Sequence, residues 1–216
     1  MKKCRHRNVV SLYEVIDDSA ANSLYIVMQY VEHGCLLTMT PEGTAPPVDS
    51  KLLVGYARQL SAGLQYLHNH NVVHRDIKPE NILRGKDDVV CLADFGVSAF
   101  MSDVREDTER RVGLTGATGL QQGTPAFLAP EILNGSSAND ADGDGAAKKH
   151  QRDGKAADEW ALGVTFYVML YGRLPWALES ASEYYAHVVD DEVEFPPIPM
   201  DGQPESEAAT SQPATE

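Results

Sequence analysis

The spacing of apolar positions changes several times along the 216-residue chain, and each change marks a predicted element. Residues 9–16 (VVSLYEVI) and 24–31 (LYIVMQYV) are rich in β-branched and aromatic side chains and predict two strands. The polar stretch 17–23 would join them as a hairpin loop. Gly34 ends the second strand, and 38–47, with three prolines, predicts irregular backbone. Over 51–69 the period lengthens. Leu53, Tyr56, Leu60, Leu64 and Leu67 share one helical face, with Asp49 or Ser50 as the cap. Short apolar runs alternate with polar residues over 70–100, as short strands and loops would. Residues 101–122 are polar and Gly/Thr-rich and predict a mobile loop. The 134–157 stretch, low in complexity, predicts a solvated insertion. Residues 160–171 are apolar around the whole circumference, which predicts a buried helix too short to span a bilayer. The Pro/Ser/Glu/Thr-rich end, 201–216, predicts a disordered acidic tail.

Composition narrows the class. With 43% hydrophobic and 23% charged residues the chain is in the range of soluble globular proteins, as one domain or part of a larger one. A net charge of -14 argues against nucleic acid or an anionic membrane as partner, since both require a basic face. No run approaches the ~18 apolar residues of a membrane span, and the basic start Met-Lys-Lys-Cys-Arg-His-Arg lacks the apolar stretch of a signal peptide. Cys4, Cys35 and Cys91 are odd in number and lack paired metal spacing. Reduced thiols in a cytoplasmic or nuclear protein are the expectation.

The chemistry concentrates in His74-Arg75-Asp76-Ile77-Lys78-Pro79-Glu80-Asn81 and in Asp94-Phe95-Gly96. Phosphoryl transfer from ATP to a hydroxyl needs positioning, charge neutralisation and an acceptor for the hydroxyl proton. An Asp accepts the proton, a Lys two residues on reaches the transferring group, and an Asn three further offers an amide oxygen to Mg²⁺. The Asp of the second motif adds a hard oxygen ligand. Either motif alone is weak. In this order, separated by one short hairpin, they are specific.

In these residues the sequence closely resembles the protein kinases. The resemblance implies an α+β, two-lobed fold. It makes Asp76 the base, Lys78 the phosphate-contacting cation, and Asn81 and Asp94 the metal ligands, with ATP and Mg²⁺ as cofactors. Lys78 resembles the Ser/Thr-specific branch. Met28 falls at the gatekeeper position, and Gln29-Tyr30-Val31 at the hinge that pairs with adenine. Leu83 would be the floor of that site and Ala93 its wall. His74, Phe95 and Gly96 would be structural. Gly123-Thr124-Pro125-Ala126-Phe127-Leu128-Ala129-Pro130-Glu131 resembles the substrate-facing loop. Glu80, Thr124 and Arg75 fall on the substrate and regulatory side. Asp158, in Asp158-Glu159-Trp160-Ala161-Leu162-Gly163, would hold the backbone of the His74–Arg75 turn.

Met1–Val15, Ala93-Asp94-Phe95-Gly96-Val97-Ser98 and Val193-Glu194-Phe195-Pro196 are similar to the calcium/calmodulin-dependent protein kinase kinases. That implies protein substrates, including activation loops of other kinases. Calmodulin would bind a full-length form, through a helix not readable in this chain.

The Gly-rich loop, the strand lysine and its glutamate partner are not among these residues, and Glu131 has no matching Arg. The expectation is a kinase domain truncated at both ends: 1–31 a remnant of the small lobe and hinge, 32–200 a partial, mainly helical large lobe, 201–216 the tail. Such a chain would be inactive by itself. The alternative is an inactive kinase fragment or pseudokinase serving as an interaction module.

Four smaller features have two readings each. His68, His70 and His74 suggest zinc, or an exposed helix end (His68, His70) beside a packed His74. Residues 140–145 (DADGDG) resemble the opening of a calcium loop, but its twelfth position is Gln151, and a solvated acidic insertion is the alternative. Thr115 and Thr118 are either phosphorylated, pairing with Arg75, or merely polar loop residues. Cys35 is either a reactive thiol or a small hydrophobe.

Overall fold

The computed structural model describes residues 5–18, 21–95, 99–100, 125–133, 144–177 and 180–197. The first two strands form an antiparallel hairpin, β1 (Leu12–Asp18) with β2 (Ser23–Met28), in a register running from Leu12↔Met28 to Asp18↔Ser23. A bulge interrupts the pairing between Leu12 and Glu14. The first strand starts later than the apolar run suggests. Val9 and Val10 are buried against the large-lobe strands instead, with Val10 N–H donating to the Leu92 carbonyl at 2.9 Å. The second strand ends at Met28, before Val31.

The long helix, α1 (Ser50–Asn69), is capped by Asp49, whose carboxylate accepts from the N–H groups of Lys51 and Leu52. Its buried face carries Leu53, Tyr56, Leu60, Leu64 and Leu67, as the periodicity predicts, and also Gly63 and His68. Gly63 permits a close approach: a Cβ there would lie 2.7 Å from the Asn8 carbonyl oxygen. The Asn8 side chain donates to Gln59 Oε1 and to the Val90 carbonyl, each at 2.8 Å, which ties the start of the chain to α1.

Three further pieces lie on the buried side of α1. The pair β3 (Val72–Val73) and β6 (Ala99–Phe100) is antiparallel, as is the pair β4 (Ile82–Arg84) and β5 (Val90–Leu92). The short helix α2 (Pro130–Leu133) precedes α3 (Asp144–Tyr171), which packs on α1 and β3. Helix α3 starts within the stretch expected to be a solvated insertion. Ala146, Ala147, Lys148, Lys149, Gln151 and Arg152 are strong helix formers, so the backbone continues the apolar helix backward. Leu60, Leu67, Val72, Ile82, Val90, Val168 and Met169 form the centre of one core. Val10, Val31, Cys91 and Ala93 form a smaller cluster, with Leu83, Val89 and Phe95 packed against it.

The 38–47 segment is irregular, as expected, and fastened at several points. Ala45 N–H donates to the Gly172 carbonyl at 2.8 Å and Val48 N–H to that of Met169 at 2.7 Å. Gly172 sits at φ +68°, and a Cβ there would meet the Ala45 carbonyl oxygen at 2.6 Å, so only glycine suits the position. The last helix, α4 (Ala181–Asp190), is capped by Ser180, which accepts from the Glu183 N–H. After it, the chain is held by two phenols of α3: Tyr167 donates to the Glu194 carbonyl at 3.0 Å and Tyr171 to that of Pro196 at 2.9 Å.

Candidate active site

The loop between β3 and β4 is nearly all polar or charged, yet it is held inside the large lobe. The reason is Asp158. This carboxylate, 1% exposed, accepts from the backbone N–H of His74 and of Arg75, each at 2.8 Å. Burying a charge is tolerable only where donors surround it, and here the loop backbone supplies two of them. Arg75 sits at φ +70°, a conformation that an L side chain adopts at a cost and that these two bonds sustain.

His74 is fully buried. Its Nδ1 accepts from the Asp76 N–H at 3.4 Å, and its Nε2–H donates to the Ala93 carbonyl at 3.0 Å. Those partners define a neutral tautomer. Burial pushes the imidazole pKa below its ordinary value, against the upward pull of Asp158, the Ala93 carbonyl, Asp76 and Asp94. The ring lies against Phe95, with centroids 5.1 Å apart. His74 therefore touches both neighbours of Asp94. The Ala93 N–H also donates to the Asn81 carbonyl at 2.9 Å, which joins the second motif to the first. Asp94 itself takes φ +59°, a region that Asp tolerates better than most residues.

Three candidate side chains meet directly. Lys78 Nζ lies 2.9 Å from Asp76 Oδ2, and the Asn81 amide nitrogen donates to the same oxygen at 2.9 Å and to the Asp76 carbonyl at 2.8 Å. With its nitrogen engaged, the amide oxygen is what Asn81 can offer a cation. The donor set of Asn81 and Asp94, one amide oxygen and one carboxylate, suits a hard ion such as Mg²⁺. Glu80 Oε1 accepts from the Met39 N–H at 2.9 Å, coupling the loop to the 38–47 segment.

On the hinge side, Val31 and Ala93 are buried in the smaller apolar cluster and Leu83 packs against it. Gln29 is bound to Ser11 through its N–H and its Oε1, while Met28 is 47% exposed. Glu131 is half-buried in α2. Gly96, Thr115, Thr118 and Thr124 lie outside the described residues, as does Cys4. So do 140–143 of the calcium-like stretch; its Asp144 opens α3. Cys35 is exposed, with its thiol directed to the Leu37 carbonyl at 3.0 Å.

One expectation is corrected. His68 is not at an exposed helix end: it is 7% exposed, and its Nε2 lies 2.9 Å from Asp158 Oδ2. His70 is exposed, and its Nδ1 lies 2.8 Å from the Tyr66 carbonyl of its own helix. The signal for His68 was present, because it follows Leu64 by four residues and so continues the buried stripe.

The protein kinase domain model matches residues 1–216. The chain is 36% identical over 200 residues to the calcium/calmodulin-dependent protein kinase kinase of Caenorhabditis elegans, covering 93% of this chain and 32% of that protein. It is 34% identical over 204 residues to the serine/threonine-protein kinase ssp1 of Schizosaccharomyces pombe, covering 94% and 29%. The serine/threonine-protein kinase GRIK2 of Arabidopsis thaliana is 34% identical over 200 residues, covering 91% and 42%. The chain thus spans less than half the length of these relatives.

Proposed function

The chain belongs to the protein kinase domain family, of serine/threonine type, and on that premise we propose that it transfers the γ-phosphoryl group of ATP to Ser or Thr hydroxyls, activation loops of other kinases among them. The observation that carries the proposal is the convergence of Lys78 and Asn81 on one oxygen of Asp76, in a loop fastened to a buried Asp158.

In this reading the acceptor hydroxyl donates to the Asp76 carboxylate, which orients it and takes its proton. The hydroxyl oxygen bonds to the γ-phosphorus, and the bond from that phosphorus to the β–γ bridging oxygen breaks, releasing ADP. The Lys78 ammonium, fixed beside Asp76, offsets charge on the transferring group. Mg²⁺, held by Asn81 and Asp94, supplies charge neutralisation on the phosphates when bound. Val31, Leu83 and Ala93 provide the apolar wall for adenine, with the Gln29–Val31 backbone as its hydrogen-bonding edge. A cytoplasmic or nuclear setting goes with this reading. So does calmodulin as a partner of a longer form, on the strength of the nematode relative's name.

The test is label transfer from γ-labelled ATP to a Ser/Thr peptide, with Mg²⁺, using the protein in its natural full-length context. Asp76→Asn should lower turnover by about 10²–10⁴-fold with the fold intact, and Asp94→Ala should abolish it. Unchanged turnover in Asp76→Asn would overturn the assignment.

A second reading, an inactive kinase-fold interaction module, is favoured by the apolar surface of the hairpin. Tyr13, Leu24 and Tyr25 are 61%, 62% and 55% exposed, which is the kind of surface another chain covers. A wild-type protein that binds ATP and transfers nothing would favour that reading.

A further inference from the structure

Tyr184 of α4 is buried in the core at 1% exposure, and its hydroxyl donates to the Ala126 carbonyl at 2.8 Å. Ala126 is the middle residue of a three-residue 3-10 turn, Pro125–Phe127, within the 123–131 stretch that resembles a substrate-facing loop. A turn of this kind is weak by itself, because it is short and its hydrogen bonds are poorly directed. Its support is tertiary. Phe127 and Ala129 are buried at 5% and 1% exposure, α3 packs against the turn, and α4 packs against α2. Ala126 is half-buried and has a single methyl to pack, so its side chain does little to orient its peptide unit. The phenol supplies that orientation.

The phenol is in turn fixed by rings. Tyr184 meets Trp176 edge-on with centroids 6.0 Å apart, and Trp176 stacks on Trp160 of α3 at 6.3 Å. Among the described residues neither indole N–H has a hydrogen-bond partner, so the Tyr184 hydroxyl is the bonded polar end of this aromatic column. Burial pushes the phenol pKa well above its ordinary value, which keeps the hydroxyl protonated and donating. Because a peptide unit is planar, fixing the Ala126 carbonyl also fixes the Phe127 N–H.

We propose that Tyr184 is a positioning residue for the protein substrate: its hydroxyl holds the Ala126 peptide unit, and so the shape of the loop that receives the residues flanking the acceptor Ser or Thr. Its effect passes through one carbonyl. The substrate part of this inference rests on the kinase reading above, whereas the holding of the turn does not.

The experiment compares Tyr184→Phe, which removes the donor and keeps the ring, and Tyr184→Leu, which removes both, with the wild-type full-length protein. The first readout is hydrogen exchange of the Phe127 amide, which is independent of any activity. Tyr184→Phe should speed it by about fivefold or more. The second is steady-state transfer to a Ser/Thr peptide. Tyr184→Phe should raise KM for the peptide by about fivefold, with kcat and KM for ATP unchanged, and Tyr184→Leu should raise it further. Should leucine prevent folding, the phenylalanine variant decides by itself. Wild-type exchange in Tyr184→Phe overturns the holding of the turn. Faster exchange with a wild-type peptide KM overturns the positioning role. So does a loss confined to kcat, or shared equally by peptide and ATP. A normal phenylalanine variant beside an impaired leucine variant assigns the effect to ring packing and also overturns it. If wild-type protein transfers no phosphate, the kinase reading fails and the substrate part with it, while the exchange readout still decides whether Tyr184 holds the turn.

Discussion

The β1–β2 hairpin and the body around α1 are built from the same kinds of residue, and the fold treats them in opposite ways. In the hairpin, Val15, Ile16, Ile26 and Val27 are each at least 40% exposed, and hydrogen bonds between two strands are the main restraint. In the body, Leu60, Val72, Ile82, Val90, Val168 and Met169 are completely buried. The site follows the body. Asp76, Lys78 and Asn81 lie on a loop that Asp158 and Ala93 fasten to it. A polar active loop is thus kept in place by an apolar core, while an apolar hairpin beside it has little to pack on. Hydrophobicity alone does not confer rigidity; having a partner does.

That contrast can be broken from the core outward. Leu60→Ala removes a fully buried side chain and should cost about 3–4 kcal/mol, read as a fall in the urea midpoint. A loss under 1 kcal/mol would mean the body is less tightly packed than described. Gly63→Ala drives a Cβ toward the Asn8 carbonyl and should cost about 2 kcal/mol while loosening residues 5–10, visible as faster exchange of the Val10 amide.

A pH series sharpens the same picture. Burial holds the His74 imidazole below its ordinary 6.5, so between that value and the lower folded one the unfolded chain binds a proton that the folded chain refuses. The His74 contribution is therefore undiminished above about pH 6.5 and shrinks as pH falls below it, by at most about 1.4 kcal/mol per unit. His74→Phe should flatten that limb in urea titrations at pH 7.5 and 5.5, and an unchanged slope would exclude His74 as its source. The smallest effect is expected in the hairpin, where Tyr25→Ser should alter stability by less than about 0.5 kcal/mol. A larger change would show that the hairpin is supported after all.

Much of this was legible in the sequence, where one local rule decided the outcome. The buried face of α1 followed from period, its start from Asp49, and the bond from Asp158 to the His74–Arg75 turn from a resemblance in motif. What was not legible came from partners distant along the chain. The helical period continues the buried stripe to His68, but nothing local reveals its partner, Asp158, 90 residues later. No local pattern reveals that Asn8 will bond Gln59 and Val90, 51 and 82 residues away. Helix α3 begins early because a run of Ala and Lys reads equally as flexible linker or as helix, and continuity with an apolar helix decides for helix.

The two tyrosines at the end of α3 have a metric consequence. Four residues of α-helix rise about 6 Å, and two residues of extended chain advance about 6.6 Å. Tyr167 and Tyr171 are four apart, and the carbonyls they hold, Glu194 and Pro196, are two apart. The repeats of helix and extended chain nearly coincide over this distance, so the pair acts as a ruler laid along the chain that follows α4. Substitutions that keep both hydroxyls leave the ruler intact, whereas inserting one residue between Glu194 and Pro196 leaves one mark without a carbonyl to meet it.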